Sequence, residues 1–349
     1  MGSMKSCLTL LVFALSPLAL SAQAPVPPAP QLQAMEQTLG NWKGKGTVTM
    51  APGVPPMEWT AKSTVTKIMD GHAYQDDMEI EIGMPTPLVF RNITAWDSTV
   101  DTMVSISMSN MGNFSQSNPY WVDANTMVYS GTSLEQGVVV TDRTVVQYME
   151  DKFHFKTDRS IAGGDFFTYL KGEYHRAEKA DAVAASSIKA AMMPSPPQLK
   201  VFEGMAGNWM IAGKMSPEPG APHIEVKGKE TIEMILGGQV VFSDLIGEPS
   251  AELPITYKGQ YYQFWDPAKK RISGFWISNM GEFVPDQSYV MEDGTIVTLH
   301  AGVNKGAPMA QRSMTAPDGK GGYSLTNWTL MGQSDPQQTF IGYLKRAQL

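Results

Sequence analysis

The sequence predicts an all-β protein of two tandem antiparallel barrels, each preceded by a short helix. Three observations carry that expectation. Short runs of alternating apolar and polar residues recur along the chain. Phrases found between residues 39 and 143 return in order between residues 206 and 312. Only the segment that opens each half shows the three-and-four apolar spacing of a helix.

The repeat is plainest at SNMGNF (109–114) and SNMGEF (278–283), 169 residues apart. LGNW (39–42) returns as AGNW (206–209), IMDGH (68–72) as ILGGQ (235–239), AWD (95–97) as FWD (264–266), and Arg143 as Arg312. Offsets that stay between 167 and 169 across a whole half identify a tandem duplication with small changes in loop length.

Taken in order, the chain opens with MGSMKSCLTLLVFALSPLALSAQAPVPPAP. Lys5, the apolar run Leu8 to Leu20 and the small residues Ser21 and Ala22 read as an export signal over 1–22, followed by a proline-rich segment over 23–30. A buried N-terminal strand or helix is the alternative. The run is shorter than the roughly 20 apolar residues of a spanning helix. The one cysteine, Cys7, precedes it, which argues against a lipid anchor and leaves no disulfide or thiol chemistry after cleavage. The expected destination is periplasmic or secreted, not a lipoprotein. A net charge of −7 without a basic block argues against nucleic acid, and no second apolar stretch predicts membrane insertion after signal cleavage.

The first barrel is expected over 31–176 and the second over 197–349, with an Ala/Pro-rich, partly helical linker over 177–196. Leu32, Met35 and Leu39 in one half, and Leu199, Phe202 and Met205 in the other, form the apolar face of each opening helix. Period-two runs follow. In DDMEIEIGM, Met78, Ile80, Ile82 and Met84 point one way and Asp77, Glu79 and Glu81 the other; in VKGKETIEMI, Val226, Ile232 and Met234 share a face. About eight to ten such strands per half with one short helix favour a closed barrel, because closure removes exposed sheet edges.

LGNWKGKGTV, a DG or GG after the second strand pair, WD and then SNMG together resemble the DUF1579 family of bacterial exported proteins, and each half carries the set once. The opening Gly-x-Trp is also similar to that of calycin barrels such as lipocalins and nitrobindins; GNWMIAGKM in the second half keeps the tryptophan but loses the glycine spacing. The resemblance implies a calycin-like barrel per half and no assigned activity. Trp42 and Trp209 are then framework residues that close each barrel floor. Trp96 and Trp265 are read with them as framework, and Gly71 and Gly238 fit turns that need positive φ. SNMG reads as a turn at each barrel mouth.

No G-x-S-x-G, phosphate loop, H-E-x-x-H or dinucleotide fingerprint is present, so no catalytic residue is assigned. The histidines, at 72, 154, 175, 223 and 300, show no metal-ligand spacing and none is repeated. No metal or cofactor is expected. Haem, raised by the nitrobindin resemblance, would need an axial ligand, for which His154 is the best placed; the plainer reading puts His154 on the outer face of its strand. Arg143 and Arg312, the repeated cation, would need a carboxylate if turned inward, supplied by a ligand headgroup or by an acid such as Asp97 or Asp266. The 24 methionines suit a cavity for varied apolar guests, plain core packing or copper(I) capture, and Met111 and Met280 are candidates at the mouths. Binding of a small apolar or amphipathic molecule is the leading expectation, with an enzyme on such a molecule or an interaction protein as alternatives. Oligomeric state is not legible.

Overall fold

The computed structural model describes residues 27–135, 137–216, 220–304 and 307–347. The expected signal over 1–22 lies outside these residues, as do residues 23–26.

Each half opens on a proline followed by short helical turns: α1 (Pro30–Gln33) running into a 3-10 turn over Ala34–Thr38, and a 3-10 helix over Pro197–Met205. Leu32, Met35, Leu199, Phe202 and Met205 are buried beneath their barrels. Strands β1 (Gly40–Val48), β2 (Met57–Ile68), β3 (Ala73–Glu81), β4 (Leu88–Asp97), β5 (Thr102–Ser109), β6 (Phe114–Ser117), β7 (Tyr120–Trp121), β8 (Thr126–Glu135), β9 (Val138–Tyr148), β10 (Lys152–Ile161) and β11 (Phe167–Ala177) build the first half. All neighbours are antiparallel, in the order β6-β5-β4-β3-β2-β1-β11-β10-β9-β8-β7. The second half, β12 (Gly207–Met215), β13 (Ile224–Ile235), β14 (Val240–Gly247), β15 (Lys258–Asp266), β16 (Arg271–Ser278), β17 (Phe283–Val290), β18 (Ile296–Asn304), β19 (Ala307–Pro317), β20 (Tyr323–Met331) and β21 (Gln337–Arg346), is a closed barrel.

The halves differ at one seam. β17 pairs with both β16 and β18, whereas its counterpart is broken into β6, which pairs with β5, and β7, which pairs with β8. Pro119 stands at the break, at the position of Ser288, and has no N–H to give a ladder. One backbone bond, Asn118 N–H to Ser130 O at 3.2 Å, crosses the seam.

The floors are built alike. Trp42 and Trp209 are buried, and their indole N–H groups donate to the carbonyls of Thr38 (2.8 Å) and Met205 (2.7 Å). Arg176 and Arg346, from the last strand of each half, lie over these indoles at 4.2 and 4.7 Å and donate to carbonyls of the opening helical turns. Each arginine thus ties the last strand to the opening turn and to the tryptophan between them. Gly71 (φ 98°) and Gly238 (φ 87°) close the turn after the second strand, in a conformation that costs glycine nothing.

The outer faces of β4 and β5 are apolar: Val89, Ile93, Ala95, Val104, Ile106 and Met108 are buried. They pack against the matching face of the second barrel, Tyr262, Phe264, Phe275, Ile277 and Phe283, with Phe114 stacked on Phe264 at 4.0 Å. Because both barrels use the same surface, the interface has pseudo-two-fold character. The repeated SNMG turns belong to it. A Cβ on Gly112 would lie 2.6 Å from Gln239 Oε1, and one on Gly281 would lie 3.0 Å from His72 Nδ1. Each SNMG turn therefore meets the other half's DGH or GGQ turn. Asn279 Nδ2 donates to Asp70 at 3.1 Å, and Lys258 pairs with the same carboxylate at 2.6 Å. At the interface Arg91 holds Asp77 through two hydrogen bonds (2.7 and 2.9 Å), bonds Tyr262 and lies over the Phe242 ring.

Between the halves, a 3-10 turn (Lys179–Asp181) and α2 (Ala185–Ile188) interrupt an otherwise irregular segment. Ile188 is buried in the inter-barrel core, and Gln239 donates to the carbonyls of Met193 (3.1 Å) and Pro194 (3.0 Å).

Candidate functional site

Residues opposite one another in an antiparallel pair share a face, so the register decides which side chains enter each barrel. In the first barrel Trp59, Ala61 and Ser63 of β2, Tyr74, Asp76, Met78 and Ile80 of β3, Asn92 of β4 and Ser107 of β5 face inward. Tyr129, Tyr148, Phe153, Phe155 and Tyr174 complete the wall from the other side.

Asp76 is the one carboxylate in this group. Ser63 Oγ donates to it at 2.6 Å and Asn92 Nδ2 at 3.3 Å. Asp76 is half-buried and keeps accessible surface, as do Asn92, Ser107, Met78, Ile80, Tyr129 and Phe155. Burial pushes the Asp76 carboxyl up to about 6, with its hydrogen bonds from Ser63 and Asn92 opposing. Burial and the Asp76 charge together push the Tyr129 phenol up to about 12, and Tyr129 is hydrogen-bonded to Tyr148.

The second barrel exchanges these residues. Glu230 stands at the position of Ser63 and Ser243 at that of Asp76, so the acid and the hydroxyl have traded strands; Ser243 Oγ donates to Glu230 Oε1. At an offset of 169, Asn92 becomes Tyr261 and Ser107 becomes Trp276, both buried. Trp276 lies over Gly259, where a Cβ would sit 1.9 Å from the indole; the first barrel has Phe90 there. Glu282 accepts from Tyr257 (2.8 Å), Ser278 (2.7 Å) and Trp276 (3.3 Å), a buried plug whose counterparts Leu88, Ser109, Ser107 and Asn113 include no acid and no indole. Burial pushes Glu230 and Asp286 up to about 8 and Glu282 up to about 7.

The sequence-based candidates fall elsewhere. Arg143 and Arg312 are exposed on the outer faces of β9 and β19, so neither turns inward to require a carboxylate inside its barrel. Arg143 alternates with the inward Asp142 and Thr144, and Arg312 covers the Trp328 ring at 4.7 Å. Asp97 bonds Thr99, and Asp266 accepts from the backbone of Ala268 and Lys269 while pairing with Lys269; neither meets those arginines. His154 lies on the outer wall, 3.7 Å from Glu173, in an open groove of about 920 Å³ shared with Lys45, Glu58, Lys156 and Lys171. Its ring faces away from the barrel interior, which offers haem no axial ligand at this position. Met111 is exposed on its turn, and Met280 is half-buried against the second core. Asn110, beside Met111, bonds Val89 N–H and Pro87 O, so the turn sits by the β3–β4 connection while its far side docks on the other barrel. Trp96 and Trp265 are half-buried against their respective cores. Among the described residues no three His, Cys, Asp or Glu gather as metal ligands, and no helix is long and apolar enough to cross a membrane.

Three arrangements escaped the sequence reading. An inward arginine of the first barrel is Arg159, held by Asp142 (2.8 and 2.7 Å) and Glu135 over the Tyr169 ring. It has no counterpart to draw attention to it. Arg176 and Arg346 do recur, 170 residues apart in YHRA and LKRA, and that signal was available. The Asp76 site was hidden because acid and serine change places between the halves.

No curated protein matches the chain. Among solved structures, Rv2717c from M. tuberculosis is similar over 44% of this chain and all of its own, at 12% identity and a TM-score of 0.34. A DUF3598 protein of unknown function from Nostoc punctiforme (9% identity, TM-score 0.26) and a putative outer membrane protein from Bacteroides fragilis (11% identity, TM-score 0.22) are each similar over 91% of this chain and all of their own. At these scores no function passes from them. The family model described as "Protein of unknown function (DUF1579)" matches residues 27–176 and again residues 196–340, so the chain belongs to the DUF1579 family and carries its domain twice.

Proposed function

We propose that the protein is exported and binds a small apolar or amphipathic molecule inside its first barrel, while the filled second barrel braces it. One observation carries this reading. Where the second barrel buries Tyr261 and Trp276, the first has Asn92 and Ser107, which keep surface on its inward face. Barrel interiors with apolar walls and a few polar groups suit such guests.

Native mass spectrometry of the mature protein, purified undenatured from its own compartment, tests the reading. The expected result is one excess mass per chain that leaves on unfolding. A bare polypeptide that also gains no thermal stability from any apolar guest contradicts it.

A second reading, with Asp76 as a general base on the guest, draws on its carboxyl titrating at about 6 near the hydrogen-bonded Tyr129 and Tyr148. Turnover that Asp76→Asn abolishes while binding persists distinguishes it from simple carriage.

A further inference from the structure

We infer that the polar end of the guest is an organic cation, an amine or ammonium group, seated against Asp76 beside the half-buried Tyr129; this rests on the reading of the first barrel as a binding cavity. Both hydrogen-bond partners of Asp76, Ser63 and Asn92, are neutral. The charge nearest to it is another acid, Asp77, on the opposite face of the same strand, and Arg91 already holds that one. The cations on the inward faces are held elsewhere: Arg159 by Asp142 and Glu135, Lys67 by Glu36, and Arg176 by the carbonyls of Gln37 and Leu39. Among the described residues, then, no lysine or arginine balances Asp76. A carboxylate enclosed without a counter-ion is costly, and a cationic guest removes that cost.

The surrounding rings favour the same class. Tyr129, half-buried on the inner wall, feels the Asp76 charge and is backed by the buried Tyr148, while the buried Tyr74 lies two residues before Asp76 on the same inward face. Aromatic faces attract ammonium groups, and a carboxylate backed by such rings is a chemically suited ammonium receptor. An anionic guest would meet like charge. These tyrosines are peculiar to the first barrel: Tyr129 is replaced by Thr298, Tyr174 by Leu344 and Tyr74 by Val241 in the second.

The pH dependence follows from the groups that face Asp76. Tyr74, Tyr129, Tyr148 and Tyr174 are all pushed above the ordinary phenol value by burial, so they stay neutral through the physiological range. Asp77 is on the other face and Arg91 pairs with it. Asp76 itself is therefore the group that switches, being charged above about 6.

The test compares octylammonium, octanol and octanoate as guests of the mature protein, by calorimetric titration at pH 8 and pH 5. The expected result is octylammonium at least tenfold tighter than octanol at pH 8, with octanoate weakest. That preference should shrink to about threefold or less at pH 5 and, at pH 8, in Asp76→Asn. Equal affinity for octylammonium and octanol at pH 8, or tightest binding of octanoate, overturns the cation assignment while leaving the cavity reading intact. Failure of all three to bind overturns both. The titrations at two pH values use the unmodified protein, so they decide the question even if Asp76→Asn folds poorly.

Discussion

Raising the pH from 6.5 to 9 is expected to lower the stability of the second barrel, on the order of 2 kcal/mol for each of its most shifted carboxyls. Glu230 and Asp286 are both raised to about 8 and Glu282 to about 7 by burial. In the folded state these groups keep protons that the unfolded chain releases near its ordinary carboxyl values. Their contribution is thus complete below the unfolded values and is lost as pH rises through 7 to 8. His300, which burial lowers, acts in the opposite sense but only below its ordinary value of 6.5. The raised tyrosines ionise above the window. Glu230 Oε1 accepts from Ser243 and Asp286 Oδ1 from Tyr261, but among the described residues Glu230 Oε2 and Asp286 Oδ2 have no hydrogen-bond partner, so ionising either leaves a half-satisfied charge inside the barrel. Melting followed at several pH values checks the effect, and Glu230→Gln with Asp286→Asn should flatten the curve. A melting temperature that rises between pH 6.5 and 9 would refute the assignment.

Arg91→Met is expected to cost about 3–5 kcal/mol, because it strands Asp77 as an unpaired charge at the buried barrel–barrel interface. The Arg91 and Asp77 side chains are 11% and 15% exposed, so solvent screening is weak. Arg91 also bonds Tyr262 and covers Phe242, which makes it a polar tie between the halves beside the Asp70 contacts with Lys258 and Asn279. Pairing Arg91→Met with Asp77→Asn should recover a large part of the loss, since the double change removes both charges. Denaturant unfolding of the four proteins measures the coupling. A loss that is the same with or without Asp77 would place the cost in packing instead.

The framework was legible because identity and period were repeated: Trp42 with Trp209, Gly71 with Gly238, and the alternation of Met78, Ile80 and Ile82 against Asp77, Glu79 and Glu81. The site was less so. VVVTDRTVV is apolar on both faces of β9, with Val139 exposed and Val140 buried, so its pattern does not say which way Arg143 turns. Asp76 sits next to Asp77 in sequence and looks like one more surface acid until the register places it inside. SNMG was readable as a turn by its Ser, Asn and Gly, but its partner is the other half's DGH or GGQ turn, and docking between two outer faces leaves no periodic mark. The difference that the proposal rests on, half-buried Asn92 and Ser107 against buried Tyr261 and Trp276, lies at positions where the halves do not match.

A fluorescence titration of the protein with the neutral apolar dye N-phenyl-1-naphthylamine tests that difference most directly. One site per chain is expected. It should be abolished, with melting retained, when Phe90→Gly and Ser107→Trp together copy the Gly259 and Trp276 arrangement into the first barrel. Two equivalent sites, no site, or undiminished binding in the folded double variant would contradict an open first barrel beside a filled second one.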